Sequence, residues 1–149
     1  MEDFPTNPAF LTVDPGLHNC AIAAWDEKKR LIYADNLPTD QVIFLVDRHA
    51  PPAKLWVEVP VLYPKKRKTH YQVGRLLELA NALKKASRGV GVAPSAWKAQ
   101  IPKSVHKSRI LGNLDPAEFR AIVSPADHNT IDAIGIGLWA LGRSGRGGV

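Results

Sequence analysis

The sequence predicts a mixed α/β sheet of about five strands, three antiparallel and the rest parallel, with helices on its faces. Two observations support this: the apolar segments follow the order three strands, helix, strand, helix, strand, helices, and the composition is 45% hydrophobic and 23% charged. Such a composition in 149 residues is typical of one globular domain. We expect that domain over residues 1–142, followed by a flexible Gly-rich tail over residues 143–149.

The first three apolar runs predict an antiparallel meander. Residues 9–13 end at Asp14-Pro15-Gly16, and the next run, residues 20–25, follows after a loop too short to hold a helix. A charged turn then leads into the third run, residues 31–34. These three strands form one side of the predicted sheet.

The rest of the chain alternates helices with single strands. Thr39 is a candidate helix cap, and Pro51-Pro52 ends that helix. Residues 70–86 have the clearest helical spacing of apolar side chains. Gly135 and Gly137 each cost about 1 kcal/mol of helix propensity against Ala, which indicates close packing against the sheet. The predicted elements are a helix over 39–47, a strand over 54–59, a helix over 70–86, a strand over 90–93, a short helix over 104–111 and a last helix from Asp127 or His128 to Leu141.

Cysteine content and hydropathy exclude two classes of protein. One cysteine, Cys20, excludes an intramolecular disulfide framework and a multi-cysteine zinc site. The longest apolar stretch, near residues 134–141, is too short to span a membrane, and the chain starts without a secretory pattern. We expect a soluble protein in the cytoplasm of a bacterial or phage-infected cell.

The charge is unevenly distributed along the chain. The formal net charge is +6, yet residues 1–60 hold 5 Lys/Arg against 9 Asp/Glu, and residues 61–149 hold 15 against 5. Residues 61–109 contain 12 basic side chains opposed only by Glu78. This distribution favours nucleic acid as the partner, although a solvated basic face that keeps the protein soluble gives the same pattern.

Three acids stand in apolar surroundings on different elements. Asp14 ends a strand, Glu58 lies near the end of a later strand, and Asp132 lies early in the last helix. Burying unpaired carboxylates is costly, so a shared positive partner such as Mg²⁺ or Mn²⁺ is expected, and two such ions about 4 Å apart support phosphodiester cleavage. Taken singly, Asp14 also suits a turn, Glu58 an ion pair and Asp132 a solvent-facing position.

Four motifs occur in order: LTVDPG at residues 11–16, Val57-Glu58, Lys107-Ser108, and DAIGI at residues 132–136. Together, over residues 10–139, they resemble the RuvC-like Holliday junction resolvases of the RNase H-like nuclease superfamily. The resemblance implies an RNase H-like sheet and a homodimeric, Mg²⁺-dependent endonuclease, using two ions that Mn²⁺ can replace, that nicks four-way or branched DNA. It assigns Asp14, Glu58 and Asp132 as catalytic metal ligands, with Lys107 assisting.

The sequence leaves the identity of the fourth metal ligand undecided. The family has an acid or histidine three residues before the last aspartate, where this chain has Asn129. Around a helix, His128 lies about 40° and Asn129 about 60° from Asp132. Asp127 can lie near Asp132 only if it precedes the helix. In that position it also suits an N-cap. We keep Asp127 as a candidate metal ligand and catalytic residue, and His128 as a catalytic candidate.

Basic and aromatic side chains after Glu58 and around Lys107 are candidates for DNA contacts. Residues 64–68 form a predicted flexible phosphate clamp, and Tyr63 either stacks on an opened base pair or is a half-buried loop aromatic. Lys107 is expected to contact the scissile phosphate. The predicted DNA-binding residues are Tyr63, Lys65, Lys66, Arg67, Lys68, Lys103, Lys107 and Arg109.

The assembly and the exact activity have alternatives. The apolar face of residues 70–86, with Leu76, Leu77, Ala80 and Leu83, either forms a dimer interface or covers its own sheet. A nuclease for RNA/DNA hybrids or other branches has the same sequence features, and Asn129 favours a catalytically silent DNA-binding module. An actin-like phosphate-binding fold, suggested by Asp14 and Gly16, is a poor alternative, because the chain is too short for the two such domains that enclose a nucleotide.

Overall fold

Five strands form one mixed sheet in the computed structural model of the protein, which describes residues 4–59, 67–98 and 103–143, with the backbone alone at 67–73, 86–87 and 103–104. The strands are β1 (Phe10–Asp14), β2 (Asn19–Trp25), β3 (Leu31–Pro38), β4 (Lys54–Glu58) and β5 (Val90–Val92). Their order in the sheet is β3-β2-β1-β4-β5. Strands β1, β2 and β3 pair antiparallel, whereas β4 pairs parallel with both β1 and β5. The predicted mixed sheet is confirmed.

Helices cover both faces of this sheet. They are α1 (Thr39–His49), α2 (Arg67–Ser87), α3 (Pro94–Trp97), α4 (Lys103–Gly112), α5 (Pro116–Arg120) and α6 (His128–Ala140). Helices α1 and α2 pack on the face that presents Val13 and Val57, while α3, α4 and α6 pack on the opposite face. Within residues 4–59, 67–98 and 103–143, no helix combines the length and apolar character needed to cross a membrane.

Thr39 begins α1 but does not cap it. Pro38 occupies the cap position, and no side-chain hydrogen bond closes that end of the helix. The Thr39 hydroxyl instead donates to the carbonyl oxygen of Gly16, 2.8 Å away. The predicted cap is therefore wrong because a tertiary partner takes the hydroxyl, which ties the start of α1 to the loop after β1.

Helix α2 begins three residues earlier than predicted and includes Arg67 and Lys68. The assignment of these two residues to a flexible loop is wrong, since Lys and Arg are good helix formers and extend the helix. On its apolar face, Ala80 and Leu83 are buried in the core beneath the sheet. This part of the face therefore covers its own sheet.

Helix α5 is absent from the sequence prediction, although the sequence contains its capping box. The Asp115 carboxylate accepts a hydrogen bond from the Glu118 backbone N–H, and the Glu118 carboxylate accepts one from the Asp115 N–H. The chain that follows runs beside β3. There the Ala34 N–H donates to the Ala121 carbonyl and the Val123 N–H donates to the Ala34 carbonyl.

Arg143 is bound to the domain, although the sequence prediction places it in the flexible tail. Its guanidinium donates to Glu118, to the Asn113 carbonyl and to the Lys29 carbonyl. Glu118 is 2% exposed, and a buried carboxylate requires a positive partner. Arg143 thus supplies a charge that the Gly-rich composition around it does not reveal, while residues 144–149 lie outside the described part of the chain.

The two glycines of α6 allow large aromatic side chains to lie against the helix backbone. A Cβ at Gly137 would overlap the Trp25 ring on β2, and one at Gly135 would overlap the Trp97 ring on α3. The predicted packing against the sheet is confirmed for Gly137 and wrong for Gly135, which packs against other helices. Gly137 meets the sheet, whereas Gly135 meets α3 and Ile110 on α4.

Gly137→Ala is expected to lower the free energy of unfolding by about 1–3 kcal/mol, because the added methyl group overpacks a buried contact. Gly74→Ala on α2 is the matched control, since a Cβ there meets no atom within 4 Å. It should raise stability by up to about 1 kcal/mol through helix propensity. Urea denaturation of both variants measures the difference, and equal shifts would show that Trp25 does not constrain position 137.

Candidate active site

Asp14 and Glu58 end neighbouring parallel strands at the same level of the sheet. Val13 on β1 is in register with Val57 on β4, so the two acids are the next residue on each strand. Side chains in register on adjacent strands point to the same face and lie about 5 Å apart at their Cα atoms. Thr12, two residues before Asp14, faces α6, and by alternation Asp14 and Glu58 face it too.

Asp132 reaches the same region from α6. The Thr12 hydroxyl on β1 donates to the carbonyl oxygen of Ala133, 2.7 Å away, in the buried interior. This hydrogen bond fixes the position of α6 along β1, and it does so at the residue next to Asp132. Three acids from β1, β4 and α6 are thereby directed to one end of the sheet.

Lys98, which follows α3, joins two of these acids. Its Nζ lies 3.6 Å from Glu58 Oε2 and 3.3 Å from Asp132 Oδ2. The Trp97 indole N–H also donates to Glu58 Oε2, at 2.8 Å. Because one ammonium contacts both carboxylates, Glu58 and Asp132 occupy a shared neighbourhood.

Burial and mutual repulsion shift the ionisation of the cluster. Burial, with the nearby charges of Glu58 and Asp132, raises the pKa of Asp14 well above its usual value. Burial also raises the pKa of Glu58, although Lys98 and the Trp97 hydrogen bond oppose that shift. Burial alone would lower the pKa of Lys98, but Glu58 and Asp132 outweigh it and hold this pKa above its usual value. Three carboxyl groups thus share one ammonium, and an added cation would relieve the remaining repulsion.

The donor chemistry fits a hard divalent ion, since all three groups offer carboxylate oxygens. As placed in residues 4–59, 67–98 and 103–143, however, no three His, Cys, Asp or Glu side chains stand together closely enough to hold one ion. Lys98 lies against Glu58 and Asp132 instead. The metal ligands named from the sequence therefore remain a prediction.

Asp127 is the N-cap of α6, one of the two roles that the sequence allows. Its Oδ1 accepts from the Thr130 backbone N–H at 2.9 Å, and its Oδ2 accepts from the Asn36 side chain at 3.1 Å. Burial would raise the pKa of Asp127, but these hydrogen bonds outweigh it and hold the pKa below its usual value. Its negative charge still contributes to the raised pKa of Asp14. His128 begins α6 and is exposed.

Helix α4 flanks the acids through His106. The buried His106 ring packs on Trp97, with ring centroids 5.0 Å apart, and its Nε2 lies 4.0 Å from Asp132 Oδ1. Lys107 and Arg109 follow on the same helix, half-buried and exposed respectively. Two groups of predicted DNA-binding residues are not placed: Tyr63, Lys65 and Lys66 lie outside the described residues, as do the side chains of Arg67, Lys68 and Lys103.

The sequence did not identify Lys98, Trp97 or His106 as members of the site. One signal was available for Lys98, because residues that follow parallel strands gather at their carboxyl ends. Strand β5 ends at Val92 and Lys98 comes six residues later. Lys98 therefore follows the same carboxyl end of the parallel strands at which β1 and β4 present their acids. The contacts of Trp97 and His106 depend on tertiary packing and had no such signal.

Comparison with known proteins identifies the fold. No protein-family model matches the sequence, and no curated protein matches it. Among solved structures, the chain is similar to T. thermophilus RuvC in complex with a Holliday junction substrate, with a TM-score of 0.58 and 15% sequence identity. The match covers 87% of this chain and 91% of that one. At this identity the likeness shows the fold, and it confirms the expected RNase H-like arrangement of three antiparallel strands followed by parallel ones.

Proposed function

We propose that the protein is a divalent-metal-dependent endonuclease that nicks four-way or branched DNA. The observation that carries the proposal is the convergence of acids from β1, β4 and α6 at one end of the sheet, beside an excess of positive charge. Glu58 and Asp132 contact the same ammonium, and Asp14 is electrostatically coupled to both. Buried carboxylates that repel one another are unfavourable for stability and typical of functional sites.

In this proposal Asp14, Glu58 and Asp132 hold the metal, with Asp127 and His128 at the adjacent start of α6. Mg²⁺, or Mn²⁺ in its place, would supply activation of a water molecule and stabilisation of the leaving oxygen, with one or two ions bound by these carboxylates. Lys98 contacts Glu58 and Asp132, and its ammonium would contribute positive charge beside a bound phosphate. Lys107 and Arg109 on α4 extend the positive surface from that point.

Branched DNA is proposed as the substrate from two facts. The solved RuvC structure of the same fold is bound to a Holliday junction. The basic residues of this chain concentrate between positions 61 and 109, a range that includes Lys107 and Arg109 on helix α4. Since a four-way junction is nearly two-fold symmetric, we propose a homodimer that cuts two strands at related positions.

A catalytically silent junction-binding protein is the second candidate. Asn129 replaces the acid or histidine of the family, and Lys98 already contacts Glu58 and Asp132. An asparagine oxygen carries no charge, so it binds a divalent ion more weakly than a carboxylate does. In such a protein the Lys98 ammonium would stay paired with Glu58 and Asp132.

One experiment separates the candidates. The protein is incubated with end-labelled four-way junction, linear duplex and RNA/DNA hybrid of matched sequence, each with Mg²⁺ or with EDTA. The proposal predicts nicks in the junction in the Mg²⁺ samples alone, at positions related by two-fold symmetry. Junction binding without nicks at any sequence would establish the silent binder, and preferential cutting of the hybrid would establish a ribonuclease H-type activity.

A further inference from the structure

Trp97 makes a direct contact with one of the three acids. It ends the four-residue helix α3, is 2% exposed, and donates its indole N–H to Glu58 Oε2 at 2.8 Å. Glu58 is itself 8% exposed. A hydrogen bond between two buried groups of which one carries charge is strong and geometrically demanding.

Packing fixes the orientation of the Trp97 ring. Gly135 on α6 leaves the space that the ring fills, since a Cβ there would overlap it. The His106 ring packs on the indole, and Lys98 Nζ lies 5.1 Å from its centroid. The indole thus meets α4 and α6, and its N–H is aimed before any ligand arrives.

The Trp97 contact selects one oxygen of Glu58. Both the indole N–H and Lys98 meet Oε2, so these two contacts leave Oε1 available to a ligand. A carboxylate held at one oxygen loses the rotation that would otherwise oppose ion binding. Groups that orient a metal ligand in this way typically contribute a factor of about 10–100 in metal affinity.

We propose that Trp97 is a positioning residue, which holds Glu58 by Oε2 so that Oε1 is presented to the divalent ion. This inference rests on the proposed metal-dependent function. A role in core packing alone would require the buried indole ring but not its N–H. The proposed role requires both.

Trp97→Phe removes the N–H and keeps an aromatic ring, so it tests the contact directly. Trp56→Phe is the matched control, because Trp56 lies on β4 two residues before Glu58 and packs against Phe10. In Mn²⁺ titrations by calorimetry without DNA, Trp97→Phe should bind about 10-fold or more weakly than wild type, and Trp56→Phe should match wild type within about twofold. Urea denaturation of both variants reports any general loss of stability.

The indole N–H resonance of Trp97 gives a second readout that does not depend on activity. In ¹H–¹⁵N spectra of the wild-type protein and of Glu58→Gln, the Trp97 resonance should move while that of Trp25, whose indole donates to Thr12, stays in place. Addition of Mg²⁺ to wild type should move the Trp97 resonance as well. These shifts are expected because the charge on the hydrogen-bond acceptor changes. A Trp97 ring with a purely structural role would show neither shift.

The outcomes distinguish this inference from the proposed function. If wild type binds Mn²⁺ and nicks junctions while Trp97→Phe binds Mn²⁺ equally well, the positioning role is overturned and the nuclease stands. If the Trp97 indole resonance has the same chemical shift in Glu58→Gln as in wild type, the contact is absent in solution and the inference is likewise overturned. If wild type binds no divalent ion, the metal-dependent function fails, and the role of Trp97 fails with it.

Discussion

Asp14→Asn is expected to abolish nicking of a four-way junction while leaving junction binding unchanged. The amide keeps the shape of the side chain but removes one of three charges that would hold the metal. We expect a loss of at least about 1,000-fold in cleavage rate, equivalent to about 4 kcal/mol of transition-state stabilisation. Single-turnover cleavage in Mg²⁺ measures the rate, and gel-shift titration in EDTA measures binding.

Asp40→Asn is the control for this substitution, because Asp40 is exposed in the first turn of α1. It should cut at the wild-type rate. Normal cutting by Asp14→Asn would show that the acids of β1, β4 and α6 are not the catalytic centre. Loss of binding as well as cutting would place Asp14 in the DNA interface.

The same variant has an expected effect on stability. Because the pKa of Asp14 is raised in the folded protein, its contribution to stability is present below the unfolded pKa of about 3.9 and is lost as the pH rises through the folded value. Without metal, ionisation of this side chain therefore destabilises the fold. Asp14→Asn should increase the free energy of unfolding in EDTA, which also separates a catalytic defect from misfolding.

Arg143→Ala is expected to cost about 3–5 kcal/mol of stability, because it leaves the buried Glu118 carboxylate without its positive partner. Arg30→Ala is the matched control: Arg30 pairs with Asp115, and both side chains of that pair are substantially exposed. An exposed ion pair contributes about 0–1 kcal/mol. Urea denaturation at pH 7 compares the two, and similar losses would contradict the structural role of Arg143.

The pH dependence of the Arg143 effect follows from Glu118. Burial would raise the pKa of Glu118, but the hydrogen bonds from Arg143 and the Leu31 backbone outweigh it and lower that pKa. The stability it contributes is therefore present above the unfolded pKa of about 4.3 and is lost as the pH falls through the lower folded value. The difference between wild type and Arg143→Ala should shrink below about pH 4.

Local patterns in the sequence predicted most of the fold. The apolar runs of β1 to β3, the helical spacing in α2 and the cap at Asp127 all depend on neighbours along the chain, and the structure contains them. The capping box of α5 is an equally local signal that was overlooked. Thr39 and Arg143 could not be predicted in this way, because Gly16 and Glu118, which they bind, become neighbours only after folding.

The residues of the candidate site also fall into two groups, those that the sequence reveals and those that only folding brings together. Asp14, Glu58 and Asp132 could be selected from sequence because three carboxylates in apolar surroundings on different elements are unusual as a set. Lys98 and Trp97 are ordinary residues of a basic, irregular segment, and their importance arises from the distances to Glu58 and Asp132. The sequence therefore predicted the anions, and only the structure identified the groups that stabilise them.

The pairing of Ala34 with residues 121–123 limits how two copies of the protein can associate. The backbone on that side of β3 already has a partner at Ala34, and β5 on the other side of the sheet is three residues long. Among the residues that the structure describes, the border at β3 is interrupted at Ala34 and the border at β5 is short, so neither is a long uninterrupted template for strand addition. A homodimer of this protein should therefore assemble through helices or loops, with no continuous intersubunit sheet.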